Sequence, residues 1–351
     1  MKITFFDNST SLKTIHDLET GARGGMISSL FNVSDGLSLL GHDVSVLSDI
    51  KLGGVNDANV YWGDLEDIES LSCDILICNR GIPTDGLAGI NAKHRVLWTH
   101  DLPHTGFIKK IKVLNAVDRV VFMSRYAEKV WRSFYPSIRK SVIIPNGVDK
   151  LIFYPREKDC DYIIYGSAPN RGLQYLDLVL EALRSRVRKS LYLKAFSNLQ
   201  ILHPNEKVNR EVNMIANYEW PKDHSVDLQD PVPQWEWAKE LGKAGLMIMP
   251  TAYPEICSNV ILQSLVSGTP IVTTGNLGSA GEWISHGING FMTQFLPNDY
   301  MVHTIEIVRG AKKILENRRL HDKMIKNANK TKQILSWCDV VKKWDKMLRS
   351  L

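Results

Sequence analysis

The sequence lacks several features that would narrow the class of protein at once. No stretch approaches the ~18 uninterrupted apolar residues of a membrane-spanning helix, and Asp7 lies too close to the start for a secretory leader. The five cysteines are odd in number and include no C-x-x-C pair, which favours reduced thiols and gives no zinc site. From these absences we expect a cytoplasmic protein.

The net charge of +5 is small, but it is distributed unevenly. Residues 309–351 contain 13 Lys and Arg against 4 Asp and Glu, and the stretch from Lys109 to Lys140 contains nine basic residues against two acidic ones. Such stretches are commonly solvated helix faces. They also fit attraction to anionic lipid headgroups, and hence a peripheral position at a membrane surface. We do not expect a nucleic-acid partner.

A chain of 351 residues exceeds the size at which one hydrophobic core keeps growing, so two domains are expected. Apolar, β-branched runs alternate with amphipathic stretches, as in parallel sheets covered by helices. We predict an α/β protein with two Rossmann-like, doubly wound parallel sheets that face a central cleft. The first domain covers 1–152 and the second 153–332, and a C-terminal helix in 333–351 is expected to pack back on the first domain.

The apolar runs give the positions of the individual elements. Strands are predicted at 2–6, 44–48, 74–79, 94–101, 118–124, 141–149, 162–167, 191–196, 246–251 and 270–274. Helices are predicted at 27–40, 172–187, 234–242 and 258–267, with two or three more in 299–351. A long loop is expected directly after the first strand.

Two of the predicted loops could bind an anion. Gly24 and Gly25 precede the first helix, where backbone N–H groups and the helix N-terminus favour negative charge. Ser167 and Arg171 follow a strand of the second domain, at the edge where open α/β sheets bind ligands. The planar guanidinium of Arg171 can donate two parallel hydrogen bonds to a diphosphate. Flexible turns and a solvent-exposed arginine are the alternative interpretations.

Further polar residues follow other predicted strands. Glu255 lies in the loop before the helix that begins near Ser258, and Gln263 lies eight positions later on that helix. The two side chains could bind hydroxyl groups along one elongated ligand, although Glu255 could also act only on the helix dipole. His100 lies at the end of a first-domain strand, where it could face the cleft or be a satisfied core histidine.

Several segments together are similar to a known family. Residues 143–149 (IIPNGVD), just before the domain boundary, and 118–131 (DRVVFMSRYAEKVW) resemble segments of the retaining glycosyltransferases of family 4, which have the GT-B fold. The glycine loop at 21–26 and the segments at 165–173, 253–274 and 278–291 follow in the order and spacing of that family. The resemblance therefore covers nearly the whole chain.

The resemblance implies a role for each candidate residue of the first domain. Gly24 and Gly25 would face the transferred sugar and the donor diphosphate, and His100 would contact the donor sugar. The acceptor would lie mainly against this domain. It is left open, and a lipid-linked acceptor at a membrane surface is one of the alternatives.

In the second domain, the resemblance implies that Ser167 and Arg171 bind the diphosphate and that Glu255 binds sugar hydroxyls. Of these, Arg171 and Glu255 would act in catalysis together with His100. Backbone amides near Asn259 and Val260 would add phosphate contacts, as the start of a helix does. Gln263 would bind the nucleotide ribose, at a position where the family usually has a second glutamate. Ser167 likewise stands where many relatives have an arginine.

The expected activity is transfer of a sugar from a nucleoside diphosphate sugar with retention of anomeric configuration. We expect the transferred sugar to be a hexose. Negative charge on the departing diphosphate would be stabilised by Arg171, Ser167 and two helix N-termini, so no metal or other cofactor is expected. Alternative activities are a nucleotide-sugar epimerase or a glycan phosphorylase with the same fold. A non-catalytic nucleotide-sugar-binding protein is a further alternative, because Gln263 lacks the charge of a glutamate.

Overall fold

The computed structural model describes residues 1–14, 21–70, 72–80, 90–103, 114, 116–197, 225–296, 299–331 and 334–351. The chain divides into two compact units. The first unit comprises Met1–Gly147 and Leu335–Leu351, and the second comprises Val148–Ile334. The boundaries therefore follow residues 147 and 334, where the sequence predicted 152 and 332. No described helix is long and apolar enough to cross a membrane.

The described part of the first unit contains an eight-stranded sheet and three α-helices. The strands are β1 (Lys2–Thr14), β2 (Asp43–Leu52), β3 (Gly54–Val55), β4 (Tyr61–Gly63), β5 (Ser72–Asn79), β6 (Asn91–Trp98), β7 (Arg119–Phe122) and β8 (Ser141–Ile143). The helices are α1 (Gly25–Leu39), α2 (Arg125–Phe134) and α8 (Trp337–Leu348). The strand order is β3-β4-β2-β1-β5-β6-β7-β8, and every pairing is parallel except that of β3 with β4.

Strand β1 is longer than the sequence predicted. A loop was expected after residue 6, but the strand continues to Thr14. Its pairing with β2 shifts register between Asp7 and Ser11, so the second half of the strand resumes beside β2 after an irregularity. The polar residues in this half conceal the strand because they break the apolar run on which the prediction depended.

The C-terminal helix α8 packs within the first unit. Ser336 and Asp339 form a capping box at its start. Its Trp344 ring lies 4.8 Å from the ring of Trp98 on β6. Gly36 on α1 permits close approach of the two helices, because a Cβ atom there would be 2.3 Å from Val341 Cγ2. The last residues of the chain thereby form part of the core of the first unit.

The second unit contains a six-stranded sheet in the order β11-β10-β9-β12-β13-β14, with parallel pairing throughout. The strands are β9 (Asp159–Tyr165), β10 (Tyr192–Phe196), β11 (Val226–Gln229), β12 (Ala244–Met249), β13 (Ile271–Thr274) and β14 (Gly290–Thr293). The described helices are α3 (Leu176–Arg186), α4 (Gln234–Lys243), α5 (Asn259–Val266), α6 (Tyr300–Glu316) and α7 (Arg318–Ala328). Helix α3 was predicted from residue 172, but the left-handed φ of +108° at Gly172 delays its start to Leu176.

Each sheet has one point at which the strand order reverses direction. In the first unit this point lies between β1 and β5, and in the second it lies between β9 and β12. Loops that leave the carboxyl ends of two such strands diverge to opposite sides and open a crevice between them. The predicted doubly wound α/β architecture is confirmed, and it identifies where each unit can bind a ligand.

Candidate active site

The loops at the reversal point of the second unit bring two of the predicted residues together. Arg171 follows β9, Glu255 follows β12, and Arg171 Nε lies 2.8 Å from Glu255 Oε1. About a fifth of each side chain is exposed. The Arg171 guanidinium also lies over the ring of Tyr253, with Cζ 3.4 Å from the ring centre. We call these three residues the arginine cluster.

Two glycines allow the loops around the arginine cluster to approach one another. Gly172 has φ +108°, and a Cβ atom there would be 2.3 Å from the carbonyl oxygen of Pro250. Gly278 has φ +75°, and a Cβ atom there would be 2.2 Å from the carbonyl oxygen of Glu255. That carbonyl accepts a hydrogen bond from the Ser279 N–H at 2.7 Å. Only glycine fits these positions without moving backbone.

The ionisation of Glu255 reflects two opposing effects. Burial disfavours the charged form and raises the pKa of the Glu255 carboxyl, while the nearby Arg171 charge opposes this rise. Arg171 and Glu255 form an ion pair, with Nε 2.8 Å from Oε1. The ion pair and the Tyr253 ring together hold the guanidinium in place among these loops.

Helix α5 begins beside this site. Its N-cap residue, Ser258, makes no side-chain capping hydrogen bond. The first backbone N–H groups of the helix, including those of Asn259 and Val260, have no acceptor within the helix itself. Both residues are half-buried. A helix start of this kind attracts a phosphate oxygen.

Gln263 lies on the same helix but is only 7% exposed. Its Oε1 accepts a hydrogen bond from Trp237 Nε1 at 2.9 Å. Its Nε2 donates to Gln234 Oε1 at 3.1 Å. The amide of Gln263 thus links α5 to α4, and the hydrogen bond to ribose that the resemblance implied for it stays a prediction.

Trp237 connects Gln263 to the loop after β9, because its ring packs on that loop. A Cβ atom at Gly166 would be 2.1 Å from Cη2 of the Trp237 ring, so the indole packs directly on the backbone of Gly166. The next residue, Ser167, is half-buried, and its carbonyl accepts from Ser197 Oγ at 2.6 Å. The Gln263 amide orients the indole that supports the turn carrying Ser167.

In the first unit, Gly24 is the N-cap of α1 and Gly25 its first residue. No side chain caps this end of the helix. Gly24 has φ −62°, a value open to any residue, so its conformation does not require glycine. The two residues therefore form the start of α1.

His100 follows β6, and its ring lies 4.5 Å from that of Trp98. Burial, and to a lesser extent the charge of Arg80, lower the pKa of His100 to about 3. The imidazole is therefore neutral at physiological pH, and it can form hydrogen bonds with hydroxyl groups without adding charge.

Sequence reasoning missed three residues beside His100. Asn79 ends β5 and is fully buried, and Arg80 follows it with φ +65°. The Arg80 guanidinium pairs with Asp101, with Nη2 3.3 Å from Oδ1 and a second, shorter bond from Nε. The one available signal was the polar N-R-G sequence at the end of an apolar strand.

An Asp-x-Asp triplet also occurs in the chain, and this pattern can hold a divalent ion on a sugar diphosphate. It consists of Asp159, Cys160 and Asp161, at the amino end of β9 and so at the edge opposite the arginine cluster. Asp161 pairs with Arg188 at 2.6 Å, and Asp159 accepts from the Tyr192 hydroxyl at 2.8 Å. The triplet therefore contributes to the structure away from the candidate site.

Comparison with protein families identifies one segment of the chain. Residues 160–309 match the model of the family described as glycosyl transferases group 1. The match lies wholly within the second unit and includes the arginine cluster and Gln263. No curated protein matches the chain in a sequence search.

Solved structures with the same fold cover essentially the whole chain. Sucrose-phosphate synthase from Thermosynechococcus elongatus superimposes with a TM-score of 0.75 at 14% identity, over 100% of this chain and 99% of that one. HepE from Anabaena, in complex with UDP-glucose, gives 0.75 at 15% identity over 100% of both chains. A glycosyltransferase from Rickettsia africae gives 0.67 at 17% identity, over 99% of this chain and 98% of that one.

At these identities the structural likeness establishes the fold alone, and the family match adds the activity. Residues 160–309 match the model of group 1 glycosyl transferases, and the whole chain has the GT-B fold. The prediction of a glycosyltransferase is confirmed.

Proposed function

We propose that the protein transfers a sugar, in our prediction a hexose, from a nucleoside diphosphate sugar to an acceptor hydroxyl with retention of anomeric configuration, as a family 4 enzyme that needs no metal. The observation that carries the proposal is the arginine cluster at the reversal point of the second sheet. It offers a fixed cation, a carboxylate and the start of a helix within one set of loops.

Each group has a part in the proposed reaction. Arg171, Ser167 and the amides of Asn259 and Val260 would bind the diphosphate. Glu255 would accept hydrogen bonds from sugar hydroxyls while it orients Arg171. Positive charge that is already in place when the leaving group departs lowers the barrier most, because no reorganisation is then needed.

The bond changes follow from retention. The bond from C1 of the sugar to the diphosphate oxygen breaks, and the electron pair remains on that oxygen. The acceptor oxygen then bonds to C1 from the same face, and its proton passes to the departing diphosphate. Gly24, Gly25 and the neutral imidazole of His100 would contact the diphosphate and the transferred sugar from the first unit.

The donor class is tested by thermal unfolding against UDP-, GDP-, ADP- and dTDP-sugars, with and without EDTA. UDP-glucose is the first probe because the structurally similar HepE binds it. A ligand that binds only the folded protein raises Tm. We expect one base class to raise Tm regardless of EDTA, and Arg171→Ala to abolish the rise.

Arg309→Ala is the matched control for this experiment, because Arg309 pairs with Glu306 on an exposed helix face of the same unit. It should leave the Tm rise intact. No rise with any nucleotide sugar would refute the donor site, and a product of inverted configuration in an NMR assay would refute retention.

A further inference from the structure

Asn79 occupies the position in the first unit that corresponds to the arginine cluster in the second. It is the last residue of β5, at the reversal point between β1 and β5. Side chains at the carboxyl ends of such strands are where open α/β sheets bind ligands. Asn79 is nevertheless fully buried.

The amide of Asn79 is unpaired among the residues that the structure describes. Neither Oδ1 nor Nδ2 has a hydrogen-bond partner in the part of the chain that the structure describes. Native proteins pair nearly all buried polar atoms, and an unpaired amide destabilises the fold. Asn56, another buried asparagine of this unit, donates to Asp35 at 2.8 Å and accepts from the N–H groups of Ala58 and Val60.

Several residues around Asn79 also have buried polar atoms without a hydrogen-bond partner among the described residues. Asn79 is the register partner of Trp98, so both side chains lie on the same face of the sheet. Trp98 in turn contacts the rings of His100 and Trp344 at 4.5 and 4.8 Å. Trp98 Nε1, His100 Nε2 and Trp344 Nε1 also lack partners among the described residues. Trp98 and Trp344 are 1% and 0% exposed, so these unpaired polar atoms lie in the packed interior on one side of the sheet.

The backbone next to Asn79 is held in an uncommon conformation. Arg80 has φ +65°, which is rare for a residue with a side chain, and its N–H donates to the Trp98 carbonyl at 2.9 Å. Its guanidinium is fixed by Asp101, whose carbonyl accepts from Trp131 Nε1 at 2.8 Å. Conformations of this kind concentrate at functional sites and require support from surrounding contacts.

The charges nearby indicate the class of ligand. The amide is neutral, the charge of Arg80 is paired with Asp101, and His100 is neutral because burial lowers its pKa to about 3. A phosphate would need an available cation. A hydroxyl group both donates and accepts, as an amide does, and it carries no charge that would require a cation.

We propose that Asn79 binds a hydroxyl group of a sugar, with the rings of Trp98 and His100 beside it. This inference rests on the proposed sugar transfer. The hydroxyl group belongs either to the donor sugar or to an acceptor sugar, and the chemistry of recognition is the same for both.

The first test is stability without ligand. Asn79→Leu removes the unpaired polar atoms at nearly constant volume, so we expect Tm to rise by a few degrees. Asn56→Leu removes an amide with three partners, and it should lower Tm. A fall in Tm for Asn79→Leu similar to that for Asn56→Leu would show that Asn79 has a structural role, and the proposal would fail.

The second test separates the two sources of the hydroxyl group. The affinities for UDP and UDP-glucose are measured by calorimetry, and the binding of methyl α- and β-D-glucopyranoside by NMR. If the donor sugar is the source, Asn79→Leu weakens UDP-glucose by roughly tenfold and leaves UDP unchanged. If an acceptor sugar is the source, the variant loses the methyl glucoside signal and binds both nucleotides as before.

Two results would overturn the proposal. Unchanged binding of all four probes by Asn79→Leu would show that the amide touches no sugar. An equal loss of UDP and UDP-glucose would assign Asn79 to the nucleotide instead. Failure of the donor site itself is distinguishable, because in that case none of the UDP-, GDP-, ADP- and dTDP-sugars would raise the Tm of the wild-type protein.

Discussion

The two units place different chemistry at equivalent points of their sheets. In the second unit the reversal point carries a cation paired with a carboxylate, Arg171 with Glu255. In the first unit the equivalent point carries the neutral amide of Asn79. The neutral ring of His100 follows the neighbouring strand β6, and the charges of Arg80 and Asp101 cancel. One fold therefore offers a charged site suited to a diphosphate and a neutral site suited to hydroxyl groups.

The two sites also differ in whether their polar groups have hydrogen-bond or ion-pair partners. The polar groups of the second site are fixed by one another, and Gln263 and Trp237 support the neighbouring turn. In the first site, the buried polar atoms of Asn79 and Trp98 have no partner among the described residues. Preformed charge favours stabilisation of a leaving group, whereas unpaired neutral groups favour recognition of a ligand that pairs them.

The largest effect is expected from closing the second site sterically. In Gly278→Ala the new Cβ atom meets the backbone of Glu255 and φ is +75°, so we expect a loss of more than about 3 kcal/mol in the free energy of unfolding and loss of donor binding. Gly287→Ala is the control, because φ there is +77° and no atom lies within 4 Å.

The control should lower the free energy of unfolding by only about 1–2 kcal/mol, the effect of the left-handed conformation alone. Both variants are measured by urea unfolding together with nucleotide-sugar titration. Equal losses in the two variants would show that the contact between Gly278 and Glu255 does not matter.

A smaller effect is expected from His100 in the first site. Its pKa is about 3 in the folded protein and about 6.5 when unfolded, so the unfolded chain takes up the proton first as pH falls. Stability should therefore decrease through this residue by about 2 kcal/mol between pH 7 and pH 5.

His100→Gln should remove that part of the pH dependence. The measurement is urea unfolding of both proteins at the two pH values, with an NMR titration of the wild-type histidines. An imidazole of His100 that titrates between pH 5 and pH 8 would show that it carries charge, and the contrast between the two sites would weaken.

The smallest effect is expected from Gln263→Glu. A carboxylate still accepts from Trp237, but it no longer donates to Gln234 and it introduces a buried charge. We expect a loss of about 1 kcal/mol in the free energy of unfolding at pH 8 and less at pH 5, because protonation restores a donor.

The same variant separates two roles for position 263. A stability loss with little change in nucleotide affinity supports the positioning role through Trp237. Tighter nucleotide binding with unchanged stability would instead favour direct contact with the ribose.

The fold was predictable because its strands are buried on both faces and read as apolar runs. Strands such as 246–251 were found within two residues, since β12 spans Ala244–Met249 and is wholly buried. The polar half of β1 and the short edge strand β11 were missed because their residues carry no such run.

The sequence identified residues of the candidate site but not the contacts between them. Sequence order placed Arg171 and Glu255 after strands, but their contact depends on β9 and β12 being neighbours in the sheet, which chain order alone does not give. The hydrogen bond from Trp237 to Gln263 depends on Gly166, which lets the indole approach the backbone. The unpaired state of Asn79 is likewise a property of packing, and no local pattern reports it.

The contrast between the charged and the neutral site is tested most directly by the affinity for UDP in three proteins. Calorimetry would compare wild type, Arg171→Ala and Asn79→Leu under one set of conditions. We expect Arg171→Ala to weaken the binding of UDP by at least tenfold, because a charged hydrogen bond to the diphosphate is lost. We expect Asn79→Leu to leave the affinity for UDP unchanged. Equal weakening by both substitutions, or by Asn79→Leu alone, would contradict the account.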